Sequence, residues 1–285
     1  MKKNIVITGV SSGIGRDALR LLHSKGYHIY GSVRKEADAK SLNEVYPQRF
    51  TPLIFDVQDQ AAVSQAAEVV FDECVRVDAL INNAGIAVPG PLQFVKEEDF
   101  EKQMDINLKS VRRITNTFLP LLGTATDFKG RPGRIINISS ISGLLSVPFN
   151  GVYSISKHAL ESMTDVYRRE LRRYGIKVIA IEPGPIKTKI WGKNLNSMEQ
   201  FANTDYYNIL QKADKMIENA EKNAFPVSRT SDVILKCINK KNPKTRYIVH
   251  KNVFIFKIFA NYFPDKLLDW FINRGLSKGN RHRPV

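Results

Sequence analysis

Two apolar patterns alternate along the chain. Lys3-Asn4-Ile5-Val6-Ile7-Thr8 is a short β-branched run that reads as a buried strand. From about Arg16 to Lys25 the apolar positions Ala18, Leu19 and Leu22 share one helical face, and Gly26 is a plausible stop. His28 to Val33 is a second apolar run. The alternation continues to about Thr188, which predicts a doubly wound parallel α/β sheet. Seven strands are expected, at 3–8, 28–33, 51–56, 78–82, 133–139, 177–182 and 245–249. A helix from Gln58 to Glu73 is expected after the third.

The alternation breaks twice. Residues 186–225 are irregular and carry Trp191, Phe201, Tyr206 and Tyr207. An insertion after a strand's carboxyl end lies where open α/β sheets bind ligands, so this is a candidate substrate lid; the competing reading is a packed surface excursion. Beyond residue 250, Ile255, Ile258, Phe259 and Tyr262 form one helical stripe, and Leu267, Leu268, Phe271 and Ile272 another. The expected organisation is a catalytic domain over 1–250, the 186–225 insertion within it, and a 251–285 extension.

Charge sharpens the second break. The chain of 285 residues carries +15, from 43 Lys and Arg against 28 Asp and Glu. Residues 226–285 hold 13 of those bases and only Asp232, Asp265 and Asp269, so they supply +10. Basic amphipathic helices lie on anionic membranes; they also pack on domains and flank pockets, and both readings stand for 251–285. No nucleic-acid motif accompanies the charge, so nucleic acid is not an expected partner. Two cysteines, Cys74 and Cys237, form no CxxC and no disulfide framework. The five histidines lack metal-ligand spacing, and no metal is expected. His158 points away from the face of Lys157 and reads as structural. The chain opens straight into its first strand, without a signal-peptide pattern. No run reaches the ~18 apolar residues of a membrane span. A cytoplasmic, non-secreted protein is expected, with membrane association left open.

Candidate chemistry sits at the strand ends. Gly9-Val10-Ser11-Ser12-Gly13-Ile14-Gly15 joins the first strand to the first helix. Glycines let backbone approach a pyrophosphate, and the helix start offers free N–H groups, so this reads as a dinucleotide cradle. The second strand ends in Ser32-Val33-Arg34-Lys35, with no acid to take a ribose 2′-hydroxyl. The Arg34 fork suits a 2′-phosphate, which favours NADP(H) and leaves NAD(H) open. Tyr153 and Lys157 lie one helical turn apart. The ammonium is expected to pull the phenol pKa down from about 10, towards proton transfer near neutrality.

These motifs in register resemble the short-chain dehydrogenase/reductase family over about residues 3–190. Thr8 to Gly15 is similar to its cofactor motif, Asn82-Asn83-Ala84-Gly85 to its second, and Pro183-Gly184-Pro185-Ile186-Lys187-Thr188 to the one after the sixth strand. Asn107, Ser140, Tyr153 and Lys157 match its catalytic set. The resemblance implies a Rossmann-like fold with strand order 3-2-1-4-5-6-7 and NAD(P)-dependent carbonyl/alcohol chemistry. Tyr153 would be the general acid/base, and Lys157 would tune it and bind the nicotinamide ribose. Ser140, with Ser139 and Ser142 as competitors, would orient the substrate oxygen, and Asn107 would hold a water linking Lys157 to solvent. Asp56 and Val57 would meet the adenine, Asn83, Ala84 and Gly85 the adenosine ribose, and Ile186 and Thr188 the carboxamide, beside Pro183 and Gly184. Ser142 and Trp191 are further substrate candidates. Asp56 could equally cap the following helix. Ser12, Arg34 and the basic-aromatic tail look most like NADP-preferring hydroxysteroid and retinol dehydrogenases, hence a lipophilic substrate. A homodimer or homotetramer is left open. The rivals are a 3-oxoacyl reductase, a catalytically silent dinucleotide sensor or scaffold, and a lipid-binding protein of membrane surfaces.

Overall fold

The computed structural model describes residues 3–188, 199–210 and 224–277. Its strands are β1 (Asn4–Ile7), β2 (His28–Val33), β3 (Phe50–Ile54), β4 (Ala79–Asn82), β5 (Arg134–Ile138), β6 (Lys177–Pro183) and β7 (Arg246–Val249). All pair parallel, in the order β3-β2-β1-β4-β5-β6-β7, as the family resemblance implies. The helices are α1 (Gly13–Ser24), α2 (Glu36–Val45), α3 (Gln60–Glu73), α4 (Glu97–Met104), α5 (Ser110–Leu119), α6 (Gly151–Glu170), α7 (Ser228–Asn239), α8 (Val253–Tyr262) and α9 (Asp265–Ser277).

The continuous apolar strands follow from burial on both faces. Side chains alternate across a strand, so Ile5 and Ile7 face one way and Val6 the other. Ile5, Ile7, Ile179 and Ile181 join Leu19 and Leu22 of α1, Leu42 of α2 and Ile234 of α7 in one core. Val6, Leu80, Ile135 and Val178 join Val63 and Val70 of α3 with Ile114 and Phe118 of α5 in the other. Each fully buried Ile or Leu contributes roughly 1.5–3 kcal/mol.

A polar ladder runs through the sheet. Asn82 Nδ2 donates to Asn137 Oδ1 at 2.8 Å and to Thr115 Oγ1 at 3.1 Å, and Asn137 Nδ2 donates to Thr164 Oγ1 at 2.8 Å. It locks β4 and β5 to α5 and α6, and so fixes the helix that carries Tyr153.

Most element ends shift by one to three residues from expectation, and two of the shifts bear on the site. The third strand ends at Ile54, and Asp56 lies in the turn beyond it. The next helix starts at Gln60 because Asp59, not Asp56, is its cap: Asp59 Oδ1 accepts from Ala62 N at 3.0 Å. Asp56 Oδ1 instead accepts from Gln58 N at 3.0 Å.

The described parts of the 186–225 insertion leave and rejoin the domain at one point. Ile186 and Phe225 form a parallel bridge, with Lys187 N donating to Phe225 O at 2.9 Å. Between them Phe201 and Leu210 are buried. The Phe201 ring fills the space that a Cβ at Gly90 would need, 2.5 Å away. Tyr206 meets Phe94 and Phe149 edge-on, with ring centroids 6.0 Å and 5.8 Å apart.

Candidate active site

A cleft of about 320 Å³ opens at the carboxyl ends of the strands. It spans the switch point between β1 and β4, where open α/β sheets bind ligands. Its floor is the glycine turn. Gly9 adopts φ +73°, and a Cβ there would sit 3.2 Å from Ala84 Cα. A Cβ on Gly15 would sit 2.2 Å from Gly9 O and 2.5 Å from Asn83 Nδ2. Only glycine lets α1 start this close to β1 and to the loop after β4. Asn83 clamps that approach: its Nδ2 donates to Thr8 O at 2.8 Å and Gly9 O at 3.1 Å. Thr8 Oγ1 accepts from Asn83 N and Ala84 N at 2.9 Å and 3.0 Å, and Ser32 Oγ accepts from Gly9 N at 3.0 Å.

The cleft lining fits a dinucleotide along its length. Arg34 and Lys35 follow β2, Asp38 lies in the first turn of α2, and Phe55, Asp56 and Val57 lie past β3. Val57 is held by Arg113, whose Nη1 donates to Val57 O at 2.7 Å. Gly9, Ser11, Ser12, Gly13 and Ile14 line the middle with Asn83, Ala84 and Gly85. Ser12 stands at the start of α1 without a side-chain capping bond. Its turn offers the free N–H groups that bind phosphate. Pro183, Gly184, Ile186 and Thr188 meet Ser140, Tyr153 and Lys157 at the far end.

At that far end α6 presents two buried ionisable side chains one turn apart. Lys157 Nζ donates to Ile138 O at 2.9 Å and lies 5.6 Å from the centre of the Tyr153 ring. Ser140, just past β5, hydrogen-bonds the Tyr153 phenol. Ser140 Oγ also accepts from Ser142 N at 3.1 Å, so its own proton is left to donate. Burial disfavours charged forms. It pushes the Tyr153 phenol up, against the Ser140 hydrogen bond that lowers it. It brings the Lys157 ammonium down to about 8, against Glu161, which raises it. The expectation of a depressed phenol is therefore corrected: desolvation outweighs the Ser140 hydrogen bond, and the Tyr153 phenol is raised.

Most of the described residues singled out in the sequence converge on this cleft; three do not line it. Gly15 lies beneath the cradle and acts by lacking a side chain. Asn107 sits in a π turn, Asp105–Lys109, between α4 and α5. Its Oδ1 accepts from Ile86 N at 2.9 Å, and its Nδ2 donates to Ile86 O at 2.9 Å and Ser156 Oγ at 3.0 Å. Its side chain clamps the loop after β4 to α6. Ser142 Oγ faces Asn150, accepting from Nδ2 at 3.4 Å, and supports Ser140 through its backbone. Trp191 lies outside the described residues. His158 is structural: its Nδ1 pairs with Ser154 O at 2.9 Å within α6.

Sequence reading missed Ser32 and Ser156, whose roles depend on contacts between distant segments, and Lys35, which lines the cleft beside Arg34. It also missed a charge cluster behind α6. Arg246 of β7 reaches Glu161 at 3.0 Å, Asp165 at 3.0 Å and Glu182 at 3.4 Å. Glu182 has no exposure, and neither of its oxygens accepts a hydrogen bond among the described residues. Burial foremost, then Glu161, pushes its carboxyl up to about 8. No spacing rule links residues 161, 182 and 246.

Comparison with known proteins agrees with this geometry. The family model described as short chain dehydrogenase matches residues 3–199. The chain is 40% identical over 275 residues to the NADPH-dependent 3-dehydrocapnine reductase of Ornithobacterium rhinotracheale, covering 96% of this chain and 97% of that protein. It is 33% identical over 267 residues to the 3-ketodihydrosphingosine reductase of Bacteroides thetaiotaomicron, covering 93% and 95%. Among solved structures, ElxO with NADP bound superposes with a TM-score of 0.70 at 26% identity, covering 87% of this chain and 96% of that one. The cradle, the Tyr153 and Lys157 turn and this likeness agree, and the chain belongs to the short-chain dehydrogenase family of oxidoreductases.

Proposed function

We propose that this protein is an NADPH-dependent reductase of a single-chain lipid ketone, of the 3-keto long-chain-base class. The observation that carries the chemistry is a buried phenol, pushed up by desolvation, beside a hydroxyl donor at the far end of a dinucleotide cleft. NADP(H), when bound, supplies the hydride. Tyr153 gives its proton to the substrate oxygen, Ser140 donates a hydrogen bond to that oxygen, and Lys157 offers positive charge against the phenolate left behind. Lys157, through its bond to Ile138 O, is held in place for this role. Asn107 keeps the loop after β4 in register with α6. Arg34 and Lys35 favour a 2′-phosphate.

The substrate class rests on the two reductases named above, both similar over nearly the whole chain. The described part of the insertion packs Phe201 and Tyr206 with Phe149 and Phe94, and we read this apolar cluster as support for it, because an alkyl chain needs apolar cover. In this reading the described residues 199–210 of the insertion help to cover that chain; much of the 186–225 lid expected from the sequence lies outside the described residues.

The test is a substrate panel with purified protein and NADPH: 3-ketodihydrosphingosine, retinal, a 3-ketosteroid and a 3-oxoacyl thioester. The long-chain amino ketone should be favoured in kcat/KM by about tenfold or more. A preference for the thioester would overturn the substrate reading. In the same assay Arg34→Ala should weaken NADPH roughly tenfold more than NADH, the loss of charge-assisted hydrogen bonds. Equal losses would remove Arg34 from the phosphate site.

A further inference from the structure

The helical pair after β7 displays apolar side chains outward. No described side chain of α8 or α9 is buried. Phe254, Ile258 and Tyr262 recur every fourth residue on α8, with Phe254 76% and Tyr262 82% exposed. Leu267, Trp270 and Phe271 form a half-exposed stripe on α9. A soluble surface scatters such residues singly; a contiguous set marks a contact.

The pair is held together by other contacts. Phe259 stacks on Phe263 at 4.4 Å between centroids, and Phe271 meets these rings at 6.5 Å and 5.8 Å. That ring cluster joins α8 to α9. It leaves Phe254, Ile258 and Tyr262 outside it.

Charge says what covers them. Lys251, Lys257, Lys266 and Arg274 flank the apolar stripes, against Asp265 and Asp269, and the chain continues with Lys278, Arg281 and Arg283. Arg274 lies 5.1 Å from the Trp270 ring centre. Aromatic and aliphatic residues beside a basic rim suit the boundary of an anionic bilayer. A second copy suits it poorly, because a twofold contact would set the same basic rim against itself. No described helix is long and apolar enough to cross a membrane, so the pair would lie in the interface.

We propose that the outward stripes of α8 and α9 dock the enzyme on an anionic lipid surface. The inference stands apart from the substrate reading, since its test reads vesicle binding and needs no knowledge of the lipid substrate. The full chain is co-sedimented with vesicles of phosphatidylcholine alone and of phosphatidylcholine mixed with phosphatidylglycerol. Binding should favour the mixed vesicles and weaken with salt. The Phe254→Ser/Trp270→Ser variant should lose about tenfold or more in partitioning, from two aromatic anchors. Lys251→Glu/Lys266→Glu should abolish the preference for anionic vesicles. Unchanged melting temperature and unchanged turnover of a water-soluble ketone confirm that both variants are folded. The two variants act by different physics, so either one tests the idea. Equal partition onto both vesicle types, or parental binding by both variants, would overturn it. So would a solution dimer that the aromatic variant makes monomeric while the parent ignores vesicles.

Discussion

At the residue scale, the direction of proton flow is set by burial. Four-residue spacing made Tyr153 and Lys157 legible as a pair, and the offset from the tyrosine singled out Ser140. Spacing says which charges are neighbours; it does not say how deeply they lie. The sequence therefore suggested a depressed phenol, whereas desolvation raises it. A tyrosine that keeps its proton at neutral pH is ready to donate, which suits ketone reduction. Lys157, brought down to about 8, is charged below that pH and neutral above it. Ketone reduction should stay level through neutrality and fall above about pH 8, as the charge supporting the phenolate is lost. Alcohol oxidation, which needs the phenolate as acceptor, should rise over the same range. Tyr153→Phe should lower kcat on the order of 10²–10⁴-fold at every pH while binding NADPH as the parent does. Matched pH–rate profiles in the two directions decide the matter: a reduction rate that climbs with pH would contradict a phenol held protonated.

At the element scale, the strands and α1 were legible because β-branched runs and a three-to-four residue period are local signals. Their ends moved where a local hydrogen bond outranked the pattern, as at Asp59. The π turn that carries Asn107 left no mark in the periodicity, since one extra residue per turn is hidden within a continuous helical run. The glycine turn was readable as a cradle, but its three glycines do different work. Gly9 supplies a left-handed backbone, and Gly13 another at the helix start. Gly15 needs no unusual φ; it is required because Gly9 O and Asn83 Nδ2 occupy its Cβ position. Gly15→Ala should therefore destabilise the fold by about 1–3 kcal/mol through overpacking. It should also weaken NADPH binding by pushing α1 away from the loop after β4. Thermal unfolding with a fluorescence titration of NADPH would measure both, and an alanine variant that matches the parent in each would show that the cradle relaxes freely.

At the scale of the whole molecule, the sheet order followed from the family resemblance, whereas the insertion and the basic tail were legible because composition and alternation run over tens of residues. The tie between the strand edge and the catalytic helix was not. Arg246 on β7, Glu182 on β6 and Glu161 with Asp165 on α6 meet only through the fold, and Lys257 on α8 adds its charge to the same group. A buried carboxylate beside a second carboxylate, Glu161, is costly when ionised, so Glu182 keeps its proton in the folded state up to about 8, against the ordinary 4.5. Between those values the folded protein binds a proton that the unfolded chain has released. The stability linked to this group is fully present below the lower value and is lost as pH rises through the upper one. The parent should therefore lose on the order of 5 kcal/mol between acidic and mildly alkaline pH, from the separation of the two values. Glu182→Gln keeps the shape and removes the titration. Its stability should vary much less over that window, and its advantage over the parent should be greatest above about pH 8. Urea unfolding of both proteins at matched pH values reads this slope directly. Parallel slopes would mean that Glu182 is ionised in the fold, with Arg246 as its partner, and that the cluster stabilises the strand edge as an ion pair instead of as a protonated acid.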